Sequence, residues 1–192
     1  MRVHVGRRLL RVAFDCRFWQ AASTNTTAQE ALQFRYSHHA MRIDSSKSHA
    51  LFQKAVAQLM AYRIYPPSRM TANICARDGM LEEGATIIQR ILLGPIGFEV
   101  ATRVVSTFTE HTGPMTRKGF TYITLVGHPE RGIATFSVSR DDTTHQVVLE
   151  IETYSEPGHW LSRVVLPLTR LIQRRSNEQA LQSFKASLLR EE

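Results

Sequence analysis

His128 stands in the stretch Gly127-His-Pro-Glu-Arg-Gly132, two residues ahead of Glu130. An imidazole held at the tip of a hairpin can donate, accept or titrate near neutral pH. Glu130 is the nearby carboxylate that acid–base work would need as a partner. The same residues also suit a plain turn, in which Gly-His-Pro sets the backbone path and the imidazole bonds to it. Just upstream, Phe120, Tyr122 and Thr124 alternate along a strand and so share one face. With Phe136 they could line a cavity that offers hydroxyls among apolar walls. Alternatively, they are cross-strand neighbours that help pair a sheet.

Other chemistry is sparse. Adjacent residues on a strand point to opposite faces, so His38-His39 cannot easily share one ion; no Cys/His/Asp cluster supports them, and no metal is expected. Cys16 and Cys75 are far apart and lack C-x-x-C spacing, so neither a disulfide framework nor a cysteine-built zinc site is expected, and a reducing compartment fits. There is no phosphate-binding glycine loop, no G-x-S-x-G elbow and no H-E-x-x-H. No catalytic residue and no cofactor is assigned on this basis.

Charge is the other chemical signal. A net charge of +7 and a pI near 9.9 favour an acidic partner such as RNA, an anionic membrane surface or an acidic protein. Arg7, Arg8 and Arg11 would share one side of a helix, with Leu9, Leu10 and Ala13 opposite. They lie in an Arg-rich, Ser/Thr/Asn-ended segment that resembles an organellar transit peptide, or else packs on the domain or on a partner. Arg170, Arg174 and Arg175 add a basic C-terminal helix able to contact phosphates. No RNP-type aromatic sequence, GXXG loop or zinc knuckle accompanies them, so nucleic acid has no recognised motif here. No apolar run reaches the ~18–20 residues of a membrane-spanning helix; membrane contact would be peripheral or made by strands. The expected location is intracellular: cytoplasmic, or organellar if the N-terminus is a targeting signal.

The elements that must position these groups follow from periodicity. At 192 residues and 43% apolar, one domain is expected over 31–192, preceded by a basic extension over 1–30. A loose strand is predicted over 34–42, then a helix over 45–62 with Asp44 as N-cap and Phe52, Ala55, Val56 and Leu59 buried. Arg63-Ile-Tyr-Pro-Pro ends that helix. Period-two runs follow over 85–94, 98–110, 119–126, 132–140 and 145–154, with breaks at Gly94-Pro95, 111–118, 127–132 and 140–144. That is an antiparallel meander. Helical spacing returns over 159–190, where Pro167 should kink the helix or split it near Arg163.

The block Gly119-Phe-Thr-Tyr-Ile-Thr-Leu-Val-Gly127-His-Pro-Glu-Arg-Gly132 resembles the hallmark GFAYGTLPGHPERGEERF of the uncharacterised DUF1990 (UPF0548) family. The likeness extends, in order, over roughly 34–188. It takes in AYRIYPP after the first helix, Ser155-Glu-Pro157 after the last strand, and Leu166-Pro-Leu-Thr-Arg170-Leu-Ile-Gln-Arg174-Arg175. Ile123 and Val126 depart from the family's Gly and Pro. Ile133-Ala134-Thr135 stands where the family has two glutamates and a further residue. That change removes the family's best candidates for proton transfer or cation binding.

The resemblance implies a START-like, Bet v 1-like fold and no established reaction. It agrees with the element order, which as an α+β helix-grip would be a curved antiparallel sheet wrapped around a long C-terminal helix, with one helix near the N-terminus. An open α+β sheet without a cavity competes with it. The first functional expectation is a non-enzymatic domain holding an apolar or amphipathic small molecule between sheet and helix, with Phe120, Tyr122, Thr124, His128, Phe136 and Ser155 around it. The alternative is a structural subunit of a larger complex, organellar ribonucleoprotein or membrane-associated, docking through its basic arm and C-terminal helix. An enzyme of unknown reaction is third.

Overall fold

Period-two alternation along the middle of the chain becomes one antiparallel sheet. The structure, a computed structural model, describes residues 2–5, 13–44, 48–76, 78–93, 96–158 and 166–189, with the backbone alone over 2–5 and 166–177 and at 44, 48, 93 and 96. In chain order the elements are β1 (Arg2–Val5), α1 (Cys16–Gln20), α2 (Ala28–Ala31), β2 (Arg35–Asp44), α3 (Ser48–Met60), β3 (Met70–Cys75), β4 (Thr86–Leu93), β5 (Ile96–Thr112), β6 (Met115–Thr124), β7 (Glu130–Asp141), β8 (Gln146–Pro157) and α4 (Leu166–Leu189). The strand order is β2-β8-β7-β6-β5-β4-β3, and β1 pairs with the start of β5.

That order explains α3. β2 lies at one edge and β3 at the other, so the chain between them must cross a face of the sheet. α3 makes the crossing with Leu51, Phe52, Ala55 and Leu59 buried against β6, β7 and β8. The described end of α4 adds Ala180, Leu181, Phe184 and Leu188 to the same core and rests on β2, β8 and α3. Lys54 Nζ donates to the Leu188 carbonyl at 2.7 Å and Ser187 Oγ to Gln58 Oε1 at 2.9 Å, which ties the two helices together. Burial of each large apolar side chain contributes about 1.5–3 kcal/mol. No helix among the described residues is long and apolar enough to cross a membrane.

β5 bends at a bulge, where Val104 pairs with Tyr122 and Ser106 with Thr121, leaving Val105 over. Up to the bulge it pairs with β1 and β4 and, from Thr102 on, with β6; beyond it, with β6 alone.

The outer face of β3, β4 and β5 is covered by the N-terminal segment. Trp19, Cys75, Ile88, Ala101 and Leu125 form a second buried cluster there, with Phe14, Cys16 and Ala22 against it. Under this cover Arg90 and Glu99 make a buried ion pair at 2.9 Å, and Trp19 Nε1 donates to Glu99 at 3.0 Å. The Arg90 guanidinium also lies 3.8 Å from the centre of the Phe14 ring.

Several expectations are corrected. Cys16 and Cys75 form a disulfide, because α1 folds back onto β3 and brings together thiols 59 residues apart. Sequence spacing carries no information on such a pair, and the cysteine count no longer supports a reducing compartment. Asp44 is the last residue of β2, paired with Gln146, and α3 is described from Ser48 rather than Ser45. The break at 111–118 shrinks to Gly113-Pro114, with Gly113 at φ +57° and Thr112 paired directly with Met115. Pro167 is the second described residue of α4, and the break expected near Arg163 falls on residues outside those described. β3 and the two short N-terminal helices were not anticipated.

Candidate functional site

On β6, Phe120, Tyr122 and Thr124 belong to the face that α3 covers, as do Ala134, Phe136 and Val138 on β7. Phe120 and Phe136 stack at 5.3 Å with planes 9° apart, and Tyr122 lies 5.5 Å from Phe136. Three of the expected site residues therefore come together as an aromatic floor.

Tyr62 closes this floor. Its ring centre is 6.0 Å from Phe120 and 6.3 Å from Phe136. It sits just past the end of α3 with φ at +54°, a left-handed conformation that bulky residues rarely adopt. The backbone there is a Schellman turn: Arg63 N–H donates to Gln58 C=O and Tyr62 N–H to Leu59 C=O, both at 2.9 Å. Glycine usually occupies that position, so a tyrosine there is backbone strain held for its side chain.

What the side chain meets is polar. Gln89 of β4 is buried, and its Nε2 donates to the Tyr62 hydroxyl at 2.7 Å. The Tyr122 hydroxyl belongs to the same group, close enough to Tyr62 and Gln89 for each to bear on its titration. Burial pushes the Tyr122 phenol up to about 12, with the charge of Glu130 adding to it. Burial also raises Tyr62 and Tyr65 well above the usual tyrosine range, and the nearby Tyr122 and Glu130 reinforce this at Tyr65.

Glu130, the first residue of β7, completes the group. Desolvation raises its carboxyl from 4.5 to about 7, while a hydrogen bond from Ser155 pulls the other way. Ser155 lies opposite Gly132 in the β7–β8 pair. A Cβ on Gly132 would collide with the Tyr154 carbonyl oxygen, so only glycine lets β7 begin this close to β8.

Thr124 and His128 serve the hairpin itself. Gly132 N–H donates to Thr124 Oγ1 at 2.9 Å, and that hydroxyl donates to Asn25 Oδ1 at 2.6 Å. His128 Nδ1 lies 3.1 Å from the Glu130 N–H and 2.9 Å from its carbonyl, accepting from one or donating to the other according to tautomer. Burial lowers its pKa to about 4, so the imidazole is neutral at physiological pH.

Arg7, Arg8 and Arg11 lie outside the described residues, and Arg170, Arg174 and Arg175 lie on the stretch of α4 where side chains are not described. His38 points to Glu150 at 3.3 Å, while His39 follows on the opposite face. Among the described residues no group of three His, Cys, Asp or Glu side chains converges as a metal site requires. Sequence reasoning missed Tyr62, Tyr65, Gln89 and the burial of Glu130. A signal existed for three of them: Tyr62 and Tyr65 belong to AYRIYPP, and Glu130 to the 119–132 block. Gln89 lies within an apolar strand and carried none.

A single antiparallel sheet with one helix crossing its inner face and a second at its C-terminal end defines an α+β protein. The chain belongs to the family described as Domain of unknown function (DUF1990), which it matches over residues 20–183. No curated protein matches its sequence. Its fold is similar to that of a hypothetical protein from Helicobacter pylori: TM-score 0.52, 11% identity, covering 91% of this chain and 95% of that one. Looser similarity, at TM-score 0.47 and 10% identity, links it to Ara h 8.0201, with 81% of this chain and 99% of that one covered. Norcoclaurine synthase from Thalictrum flavum, solved with dopamine and hydroxybenzaldehyde, has a TM-score of 0.45 and 12% identity, with 94% and 95% covered.

Proposed function

We propose that this is a non-enzymatic START-like domain that holds an apolar or amphipathic small molecule between its curved sheet and its C-terminal helix. The observation that carries the reading is the polar group of Tyr62, Gln89, Tyr122, Glu130 and Ser155 on the inner face, beside the Phe120–Phe136 floor. A sheet that needed only to pack against helices would be more stable with apolar residues there, because buried amide, phenol and carboxyl groups cost free energy even when partly paired. An apolar floor with a few convergent polar groups is instead the usual make-up of a small-molecule site. The molecule's apolar body would lie toward Phe120 and Phe136 and its polar head toward Tyr122.

The test is purification under gentle conditions, solvent extraction and mass spectrometry of the extract. A stoichiometric small molecule that is lost from the Tyr122→Phe, Gln89→Leu double variant is expected. Absence of any bound molecule, together with no saturable binding of a naphthalene probe, would reject the reading.

A further inference from the structure

We infer that the Cys16–Cys75 bond is a thiol-exchange site: a dithiol opens it in the folded protein by attack on Cys16, and Asn73 receives the Cys75 thiolate that departs. The site lies on the outer face of the sheet and does not depend on what the inner face binds.

Access differs between the two cysteines. Cys75 is 7% exposed, within the cluster of Trp19, Ile88, Ala101 and Leu125. Cys16 is half-buried at the start of α1. Exchange needs an incoming thiolate to reach one of the two sulfurs, so access selects Cys16.

Asn73 favours the departure of the other sulfur. It precedes Cys75 by two residues on β3, so both side chains leave the strand on the same face. Its Nδ2 donates to Cys16 Sγ at 3.4 Å and to Cys75 Sγ at 3.6 Å. A neutral sulfur is a weak acceptor, so these bonds contribute little while the bridge is closed. When the bridge breaks, the departing sulfur is anionic and the same N–H becomes a charge-assisted donor. Cys16 belongs to α1 and moves with the cover, whereas Asn73 and Cys75 are held on one strand, both paired with β4. The amide therefore stays with Cys75. A stabilised thiolate leaves faster.

The step is a two-electron exchange. One thiolate of the dithiol forms a bond to Cys16 Sγ as the bond between the cysteines breaks. Cys75 leaves with the bonding pair and then takes a proton from solvent. The second thiolate of the dithiol attacks the dithiol's own sulfur in the mixed disulfide and releases Cys16 as a thiolate. The dithiol is oxidised to its disulfide, and the protein is reduced to two thiols. Other contacts hold α1 meanwhile. Trp19 stays in its cluster, Arg103 Nη2 donates to the Trp19 and Gln20 carbonyls at 3.2 and 2.8 Å, and Gln20 Nε2 donates to the Cys75 carbonyl at 3.3 Å. The exchange therefore needs no unfolding.

The test treats the oxidised full chain with dithiothreitol at neutral pH without denaturant, traps the released thiols with iodoacetamide and counts them by mass spectrometry. The rate is expected to rise in proportion to dithiothreitol while strand circular dichroism stays unchanged. A rate that levels off with added reductant would mean that unfolding comes first, and would overturn the inference. Asn73→Leu should slow reduction about tenfold, as loss of one charge-assisted hydrogen bond at the leaving sulfur predicts. Asn73→Asp, of the same size, should slow it further by setting a carboxylate against the departing thiolate. Unchanged rates in both variants would refute the part given to Asn73. Glutathione, which has no second thiol, reads the site of attack in the unmodified chain. After brief exposure and quenching, the glutathionyl group is expected on Cys16 and the iodoacetamide label on Cys75; the reverse pattern would sink the assignment.

Discussion

Glu130 and His128 lie two residues apart, yet burial moves their titrations in opposite senses. The Glu130 carboxyl is raised from 4.5 to about 7, so the folded chain keeps a proton that the unfolded chain has released. The stability it contributes is complete below 4.5 and is lost as pH rises toward 7. His128 is lowered from 6.5 to about 4, so its contribution is complete above 6.5 and is lost as pH falls toward 4. Between about 4.5 and 6.5 the two slopes oppose each other and partly cancel. Urea unfolding across this range should show Glu130→Gln gaining on the unmodified chain, by about 1–3 kcal/mol, as pH rises through the window. His128→Asn should gain as pH falls. A constant difference for Glu130→Gln would mean that the carboxyl is not buried as described. Tyr62 adds a further test, because its hydroxyl and its backbone pull apart. Tyr62→Phe should cost about 1–3 kcal/mol by leaving the Gln89 amide without its acceptor, and Gln89→Leu in the same chain should recover part of that loss. A full loss unrelieved by the second change would show that the two residues are not coupled.

At the scale of elements, the β6–β7 hairpin is the unit that builds the site. Thr124 holds its base by accepting from Gly132 N–H and donating to Asn25, whose own Nδ2 reaches the Glu130 carbonyl at 3.2 Å. Thr124→Val keeps the shape and removes the hydroxyl, leaving a buried N–H unpaired. It should cost about 1–3 kcal/mol and speed amide exchange at Gly132, whereas Thr124→Ser should restore both. Equal exchange in the valine and serine variants would show that the clamp does not hold the hairpin. The meander was legible in the sequence because strands such as β8 alternate half-buried and buried residues along most of their length. β3 was not, since MTANIC mixes half-buried residues on both faces and lacks that contrast. The turn after Thr112 was overestimated because His111 and Thr116 look like loop residues in sequence, while in the fold their side chains hydrogen-bond across the ladder at 3.2 Å. The 119–132 block could be recognised as a unit, but only the fold shows that its glycine, threonine and histidine shape a hairpin which buries its glutamate.

At the scale of the whole molecule, the sheet separates two unlike layers. The inner face carries α3, the end of α4 and the polar group around Tyr122; the outer face of β3, β4 and β5 carries the N-terminal segment. The basic opening of the chain gave little sign of this second role, because Trp19 and Phe14 lie among arginines and the buried partners of the segment are themselves charged. Arg90 and Glu99 read as surface residues in sequence. They are tolerated inside because they pair with each other and the Trp19 indole donates to the same carboxylate. The Cys16–Cys75 bond pins this cover across 59 residues of chain. Closing a loop of that length lowers the entropy of the unfolded chain by an amount worth up to about 4 kcal/mol. Reduction should therefore lower stability by as much as that, and should loosen the cover before the sheet, since the inner core does not depend on it. In a Trp160→Phe background Trp19 is the sole tryptophan, and its fluorescence reports the cover directly. Under a reductant its emission is expected to move to the red at a lower urea concentration than the loss of strand circular dichroism, while in the oxidised chain the two transitions should coincide. Coincident transitions in both redox states would show that the outer layer and the sheet unfold as one body, with the disulfide adding to the stability of the whole.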